Sequence, residues 1–442
     1  MAKGKRGFRG VPTKELSLFD STCLIVGIII GVGIYQTAPD VARGVGSLWG
    51  VLAIWVVGGL LSLCGALNYS ELASAYPEEG GDYVYLTRAY GRWAGFLFGW
   101  TQLVVVRPGD IAVVAFAFAM YARTLYDPFA NSVFPYGQQL YAVGAVTILT
   151  AINILGVREG KWTQNFLTIV KALGLLAIVV VAVISPQGSS ATTTFDPLPI
   201  SIAMILVLFT FGGWNEMAYV AAEVKNPDRN ILRALLLGTV AVTILYLLAN
   251  AAFVYSLGYT GVATSKAVAT DTISTVFPRI GGRMISVLIC ISALGAVSGL
   301  IFAGARISYA LGSEHWVFRG VGRWSPRTGT PVRALLVQAA IAVSLIVLLG
   351  SFINTILYTA AAVYSFYLAS SLAVIVLRRK EPHVRRPYRV SGYPVTPVVF
   401  AVVCTFLAYS ALTYKPLVAA ASCGLVLLGV PLYWLSARRE AG

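Results

Sequence analysis

Gly27, Gly31 and Gly33 fall in the middle of one apolar stretch, residues 17–43, and Gly212 and Gly213 in the middle of another, residues 200–223. The local sequences are Gly27-Ile28-Ile29-Ile30-Gly31-Val32-Gly33-Ile34 and Phe209-Thr210-Phe211-Gly212-Gly213-Trp214-Asn215-Glu216. Gly27 and Gly31 have the four-residue spacing of helix-packing glycines. Gly31 and Gly33 do not: two apart, they lie on different faces of a helix. Each stretch therefore reads as a helix that unwinds. Lipid cannot satisfy loose N–H and C=O groups, so a broken helix in a membrane is tolerated only where it lines a buried cavity. Two breaks in corresponding spans point to the binding site of a secondary transporter. A branched side chain at Gly31 or Gly33 is expected to block that site.

The ionisable residues inside apolar stretches are few, and such groups mark function more often than not. Lys171 lies in Asn165-Phe-Leu-Thr-Ile-Val-Lys171-Ala-Leu-Gly174 with no acidic residue near it in sequence. It is nine residues past Trp162, too deep to reach water easily along its own stem. An ammonium there can take the place of a sodium ion, bonding carbonyls of a broken helix and a hydroxyl from another span. A proton-linked role for the same lysine is the alternative. Arg107-Pro108-Gly109-Asp110 interrupts a further apolar stretch. Its two charges are three residues apart, which predicts an ion pair on one helix face beside a proline kink. Arg306 is expected to snorkel, and Glu71 to sit near the inner end of its span.

The elements that must position these groups are membrane helices. With 57% hydrophobic and 12% charged residues over 442 positions and a mean hydropathy of +0.77, the chain is not a soluble protein. A spanning helix needs about 20 apolar residues. Twelve candidate spans follow: 17–43, 47–75, 92–124, 139–156, 162–185, 200–223, 231–258, 280–311, 333–350, 352–377, 395–411 and 416–436. Connections are short, so the chain is expected to be one all-α polytopic domain. The net charge of +15 is distributed as a topology signal. With the N-terminus in the cytoplasm, 24 Lys and Arg fall on the inner side and 6 on the outer, which predicts both termini inside. The basic excess is thus no nucleic-acid footprint. The first span is too long for a signal-peptide core and is expected to be retained.

Several chemistries are excluded. His315 and His383 are the only histidines, so there is no zinc pattern and no His-centred triad. Gly156-Val-Arg-Glu-Gly160-Lys161-Trp162 has too few residues between its glycines for a phosphate loop, and Trp162 stands where Ser or Thr is required. ATP hydrolysis is excluded on that ground, and no cofactor is expected. Cys23, Cys64, Cys290, Cys404 and Cys423 all fall inside candidate spans and read as small buried apolar residues.

Beyond these features the chain resembles the amino acid–polyamine–organocation superfamily, most closely its L-type amino acid transporter branch, as a stand-alone bacterial-type member. The resemblance rests on the first break, and on Tyr69-Ser-Glu71-Leu-Ala-Ser-Ala-Tyr-Pro77-Glu-Glu-Gly80-Gly81-Asp82-Tyr83-Val-Tyr85-Leu86. It rests equally on Arg107-Pro108, Lys171, Phe209 to Asn215, Glu223-Val-Lys-Asn226-Pro227-Asp-Arg229-Asn230 and Arg386-Pro387-Tyr388. It implies twelve transmembrane helices in a LeuT-type 5+5 inverted repeat, with helices one and six broken. The repeats would span 17–185 and 200–377, with two peripheral helices over 395–436. It implies that amides around Gly31, Val32 and Gly33 hold a substrate carboxylate, in keeping with the pull of a half-helix N-terminus on anions. Carbonyls of Ile28 to Ile30 and of Phe209 to Gly212, Phe211 included, would meet the α-ammonium. Phe209 would be the gate and Asn215 would line the side-chain pocket. Lys171 would replace a sodium ion with Ser298 as its hydroxyl partner, and Tyr246 would be a substrate-handling tyrosine.

Val32 stands where the family usually has Ser or Thr, so backbone amides alone would clamp the carboxylate. Glu78-Glu79 and Leu232 are further departures. Loop 125–138 has no cysteine, so no disulfide-linked heavy subunit is expected; the partners expected are the amino acid and the lipid bilayer. The function implied is exchange or uniport of neutral L-amino acids by alternating access, sodium-independent, at the plasma (inner) membrane. Proton-coupled symport and a non-transporting amino acid receptor are the alternatives.

Overall fold

The computed structural model describes residues 16–78, 80–130, 135–155, 161–188, 195–219, 221–278, 280–325 and 327–440. Among them the chain is helical, without strands beyond two isolated bridges. The basic N-terminal residues, Glu79, Arg279 and the Gly156 to Gly160 segment lie outside the described residues.

Helix α1 (Leu18–Ile29) opens on a capping box, in which the Ser17 side chain accepts from the Asp20 amide and Asp20 accepts from the Ser17 amide. It ends at Ile30 and restarts as α2 (Gly33–Val45), bent by 49° across the break. Ser47 caps α3 (Leu48–Ala75), and a short helix α4 (Asp82–Tyr90) crosses between spans. Helix α5 (Arg92–Thr101) runs through a π turn, Gln102–Val106, into α6 (Arg107–Leu125). The sequence predicts a proline kink at this point, and the structure has a π turn just before the proline. Pro108 lacks the N–H that would reach the carbonyl four residues back, and the Tyr358 hydroxyl donates to that carbonyl, Val104, at 3.4 Å.

Helices α7 (Gly137–Ile154) and α8 (Lys161–Ile184) follow, then α9 (Ile200–Thr210). After α9 the chain turns at Gly212 and Gly213 and continues as 3₁₀ segments Trp214–Tyr219 and Ala221–Glu223. Gly213 has φ +112, and a Cβ there would meet Ile28 Cγ2 at 2.4 Å. The second break therefore presses directly on the first, and only glycine permits it. The remaining helices are α10 (Pro227–Thr264), α11 (Val268–Ser274), α12 (Gly281–Glu314), α13 (Val332–Leu349), α14 (Phe352–Lys380), α15 (Val395–Tyr414) and α16 (Pro416–Glu440).

A helix occupies each predicted span. Nine described helices are long and apolar enough to cross a membrane, and the bent α1–α2 pair makes ten. The other two positions are α7 and α8. Helix α7 opens on Gly137-Gln138-Gln139, and this polar first turn dilutes it; the described apolar run of α8 is Thr168–Ile184.

Candidate functional site

The breaks in α1–α2 and after α9 face one cavity of about 660 Å³. Ile28, Gly31, Val32, Gly33, Phe209, Gly212 and Asn215 all line it, as do Lys171 and Ser298. Ile30, Phe211 and Tyr246 are not among its lining residues. The Phe211 ring packs between Trp55 and Tyr246, at 5.8 and 5.2 Å between centroids.

Unwinding frees backbone groups at a helix break. The Gly31 amide turns back on the Ile29 carbonyl at 2.7 Å. Among the described residues the Val32 and Gly33 amides meet no acceptor, and the carbonyls of Ile28, Ile30, Phe211 and Gly212 receive no donor. Donors thus gather at the start of α2 and acceptors at the ends of α1 and α9. That division matches the two ends of a zwitterion.

Tyr246 ties the two breaks together. Its hydroxyl lies 2.6 Å from the Ile29 carbonyl and 3.3 Å from that of Thr210. It therefore acts on the site through the backbone it holds. Tyr246→Phe is expected to leave these carbonyls short of a donor and to weaken substrate binding about tenfold, by the cost of an unsatisfied buried group. Unchanged affinity with unchanged thermal stability would remove Tyr246 from the site.

On the α2 side of the break the structure is closed. Thr37 and Thr210 share a 2.9 Å hydroxyl contact, and a Cβ on Gly33 would meet Thr210 at 3.2 Å. The Phe209 ring meets Phe352 edge-on, with centroids 6.3 Å apart. On the α1 side the cavity extends to Leu24, Asp20 and Leu16. If Phe209 is the gate between these halves, Phe209→Ala keeps measurable equilibrium binding and slows exchange by about an order of magnitude, since occlusion commits the substrate. Lost binding with normal exchange of what still binds would contradict that role.

Helix α8 lies along α1 and makes polar contacts to it. Asn165 donates to Asp20 at 2.9 Å, Thr168 to the Cys23 carbonyl at 3.2 Å, and Lys171 to the Gly27 carbonyl at 3.3 Å. The last sets a cation at the C-terminal turn of α1, where the helix dipole favours one. Ser298 accepts from Asn153 at 3.1 Å.

The pairing predicted for Arg107 is different in the structure. Arg107 donates to Glu216 at 2.8 Å rather than to Asp110. Asp110 is near on its own helix, but Glu216 from the facing 3₁₀ segment meets the guanidinium end-on. Asn215 accepts from Tyr367 at 3.1 Å. Arg306 bonds the Phe302 carbonyl and lies over the Phe302 ring. Glu71 is buried, held by Arg378 through Nε at 2.8 Å and Nη2 at 2.5 Å and by the Val390 amide at 2.7 Å. Arg386 lies 3.5 Å away, so Glu71 anchors the Arg386-Pro387-Tyr388 loop.

One cluster is not evident from sequence. Asp82, the first residue of α4, is buried and accepts hydroxyls from Tyr69, from Ser370 at 2.5 Å and from Tyr219 at 3.2 Å. Burial pushes this carboxyl above the ordinary range, while the hydroxyl donors oppose the shift. Its three partners come from α3, the 3₁₀ segment and α14, and it therefore fastens the short connecting helix beneath the cavity.

The amino acid permease family profile matches residues 16–434. The b(0,+)-type amino acid transporter 1 of Mus musculus is 30% identical over 437 residues, 96% of this chain and 88% of the relative. The Large neutral amino acids transporter small subunit 2 of the same species is 30% identical over 449 residues, 98% of this chain and 83% of the relative. The Serine/threonine exchanger SteT of Bacillus subtilis is 29% identical over 438 residues, 97% of this chain and 98% of the relative. A profile match over nearly the whole chain, on a membrane fold whose two helix breaks share one cavity, means that this protein belongs to the amino acid permease family.

Proposed function

We propose that the protein moves neutral L-amino acids across the plasma (inner) membrane by alternating access, as a sodium-independent exchanger or uniporter. The observation that carries this reading is the division of free backbone groups at the two breaks: amides of Val32 and Gly33 on one side, carbonyls of Ile28 and Gly212 on the other, lining one cavity. The amides would take the α-carboxylate and the carbonyls the α-ammonium. Asn215 would line the side-chain end and Phe209 would close over the substrate.

In this reading Lys171 holds the place of a sodium ion against the Gly27 carbonyl, with Ser298 as its hydroxyl partner. The twelve helical segments would be two inverted repeats, 17–185 and 200–377, followed by the peripheral pair 395–436. With both termini in the cytoplasm, a cavity that runs along α1 to Leu16 belongs to an inward-facing state. Exchange is favoured because the SteT relative, of nearly equal length, is named an exchanger. The protein would work without a disulfide-linked heavy subunit, since loop 125–138 holds no cysteine. Uptake of a panel of labelled amino acids into proteoliposomes, with and without internal substrate, tests the reading. Uptake of neutral amino acids that rises with internal substrate is the expected result. No uptake and no binding of any amino acid would overturn it.

A further inference from the structure

A second cavity, of about 490 Å³, lies where the last turn of α6, helix α11 and the first turn of α12 meet. It shares no lining residue with the cavity between the helix breaks. With both termini in the cytoplasm, as proposed above, this end of α6 faces outside. The wall is fixed by one buried hydroxyl. Thr124 and Thr270 bond Ser286 at 2.9 and 2.8 Å, and Ser286 donates to the Gly282 carbonyl at 2.8 Å. Gly282 brings α12 against α11, since a Cβ there would meet Ser274 Oγ at 2.5 Å. That approach sets Arg283 and Ser274 on one cavity.

The hydrogens of this cavity divide into engaged and free. Ser286 gives its own hydrogen to Gly282, so the hydrogen that it shares with Thr270 is the threonine's. Ser274 and Arg283 bond no described residue, and the Gly282 amide meets no acceptor among the described residues. Other arginines near this end are paired, Arg43 with Asp40 and Arg123 with Asp127. Asp271, beside Thr270 in sequence, accepts from Ser265 at 2.6 Å and is not among the lining residues. An arginine on an open surface needs no partner but water. Here the guanidinium borders a pocket that holds further free donors and no described carboxylate, and such a pocket favours a negative charge.

We propose that this cavity binds a small oxyanion, a carboxylate or a phosphate, through the Arg283 guanidinium, the Ser274 hydroxyl and the Gly282 amide. The flat fork of a guanidinium matches both oxyanions with two parallel hydrogen bonds. A cavity of this volume also has room for a small organic acid. Because its donors come from α11 and α12, a bound oxyanion braces one helix against the other. The site stands apart from the amino acid site, and neither depends on the other.

The test titrates the purified full-length protein with sodium phosphate and, separately, with sodium acetate, by calorimetry. Chloride keeps the ionic strength constant, so that screening does not change along the titration. At least one of the two should bind, and the tighter one names the source of the oxyanion. Arg283→Gln should weaken that binding by at least about tenfold, the scale of a charge-assisted hydrogen bond, and Arg283→Lys should recover part of it. Lys266→Gln removes an equal charge from a residue outside the cavity and should leave the affinity as it was. Should Arg283→Gln fail to fold, weaker binding in Ser274→Ala decides in the same sense. Binding of neither anion overturns the inference, as does affinity unchanged in Arg283→Gln. Equal weakening in Lys266→Gln also overturns it, by making the attraction a diffuse effect of surface charge.

Discussion

Gly31→Val abolishes substrate binding in a protein that still inserts and folds. A Cβ on Gly31 has only the Ile28 and Ile29 carbonyls near it, both at 3.9 Å, so the branched side chain does not strike the protein. It fills the cavity beside the Val32 and Gly33 amides, where the substrate's backbone end would approach. The expected loss of affinity is at least about 100-fold, or about 2.7 kcal/mol, with a thermal unfolding midpoint near that of the unaltered protein. Gly33→Val is a different experiment, although the sequence treats the two glycines alike. Its Cβ would meet Thr210 between 3.2 and 3.4 Å and push α2 from α9, so it should lower stability along with binding. A scintillation or thermal-shift assay separates the two. Unchanged affinity in Gly31→Val would mean that the break is a packing feature and not a binding site.

What was legible in advance divides along a physical line. Local features read well. The glycine spacing at Gly31 and Gly33 announced the break, and hydrophobic length placed a helix at each of twelve positions. Lys171 was expected to bond a carbonyl of the first span, because an apolar stretch leaves a buried ammonium few other acceptors, and its Nζ lies 3.3 Å from the Gly27 carbonyl. Features made by distant partners did not read. Arg107 and Glu216 are 109 residues apart in sequence, and with only Asp110 in view the nearer acid was the natural partner. Asp82 draws its donors from 13, 137 and 288 residues away. Nothing in its local sequence distinguishes it from a solvated first-turn acid. Tyr246 came from family resemblance alone; that its hydroxyl spans the Ile29 and Thr210 carbonyls is a fact of the fold. The π turn was hidden for the same reason, since a face has no meaning until something packs against it.

Lys171→Ala is expected to reduce exchange by about 10- to 100-fold, the range for removing a hydrogen bond to a charged group and leaving its partner bare. The Gly27 carbonyl would lose the ammonium now 3.3 Å away, and α8 would lose a polar contact to α1. The loss should fall on turnover more than on protein yield, because Asn165 and Thr168 still fasten the other end of the helix. Lys171→Met, which keeps the stem and removes the charge, should behave as Lys171→Ala does; normal exchange in Lys171→Met would make the residue a packing element. The unaltered protein decides the coupling. If the ammonium stands in for a sodium ion, exchange is sodium-independent and nearly flat between about pH 6 and pH 8, well below the ordinary lysine range. A proton-coupled cycle needs an acceptor that faces the transport cavity, and Asp110 is the carboxylate there without a hydrogen-bond donor among the described residues. The gradient experiment therefore includes Asp110→Asn beside Lys171→Ala. Accumulation of a neutral amino acid against its concentration difference, driven by an inward proton gradient in sodium-free proteoliposomes, would overturn the exchange reading. Its loss in Asp110→Asn but not in Lys171→Met would place the proton on α6 and not on α8.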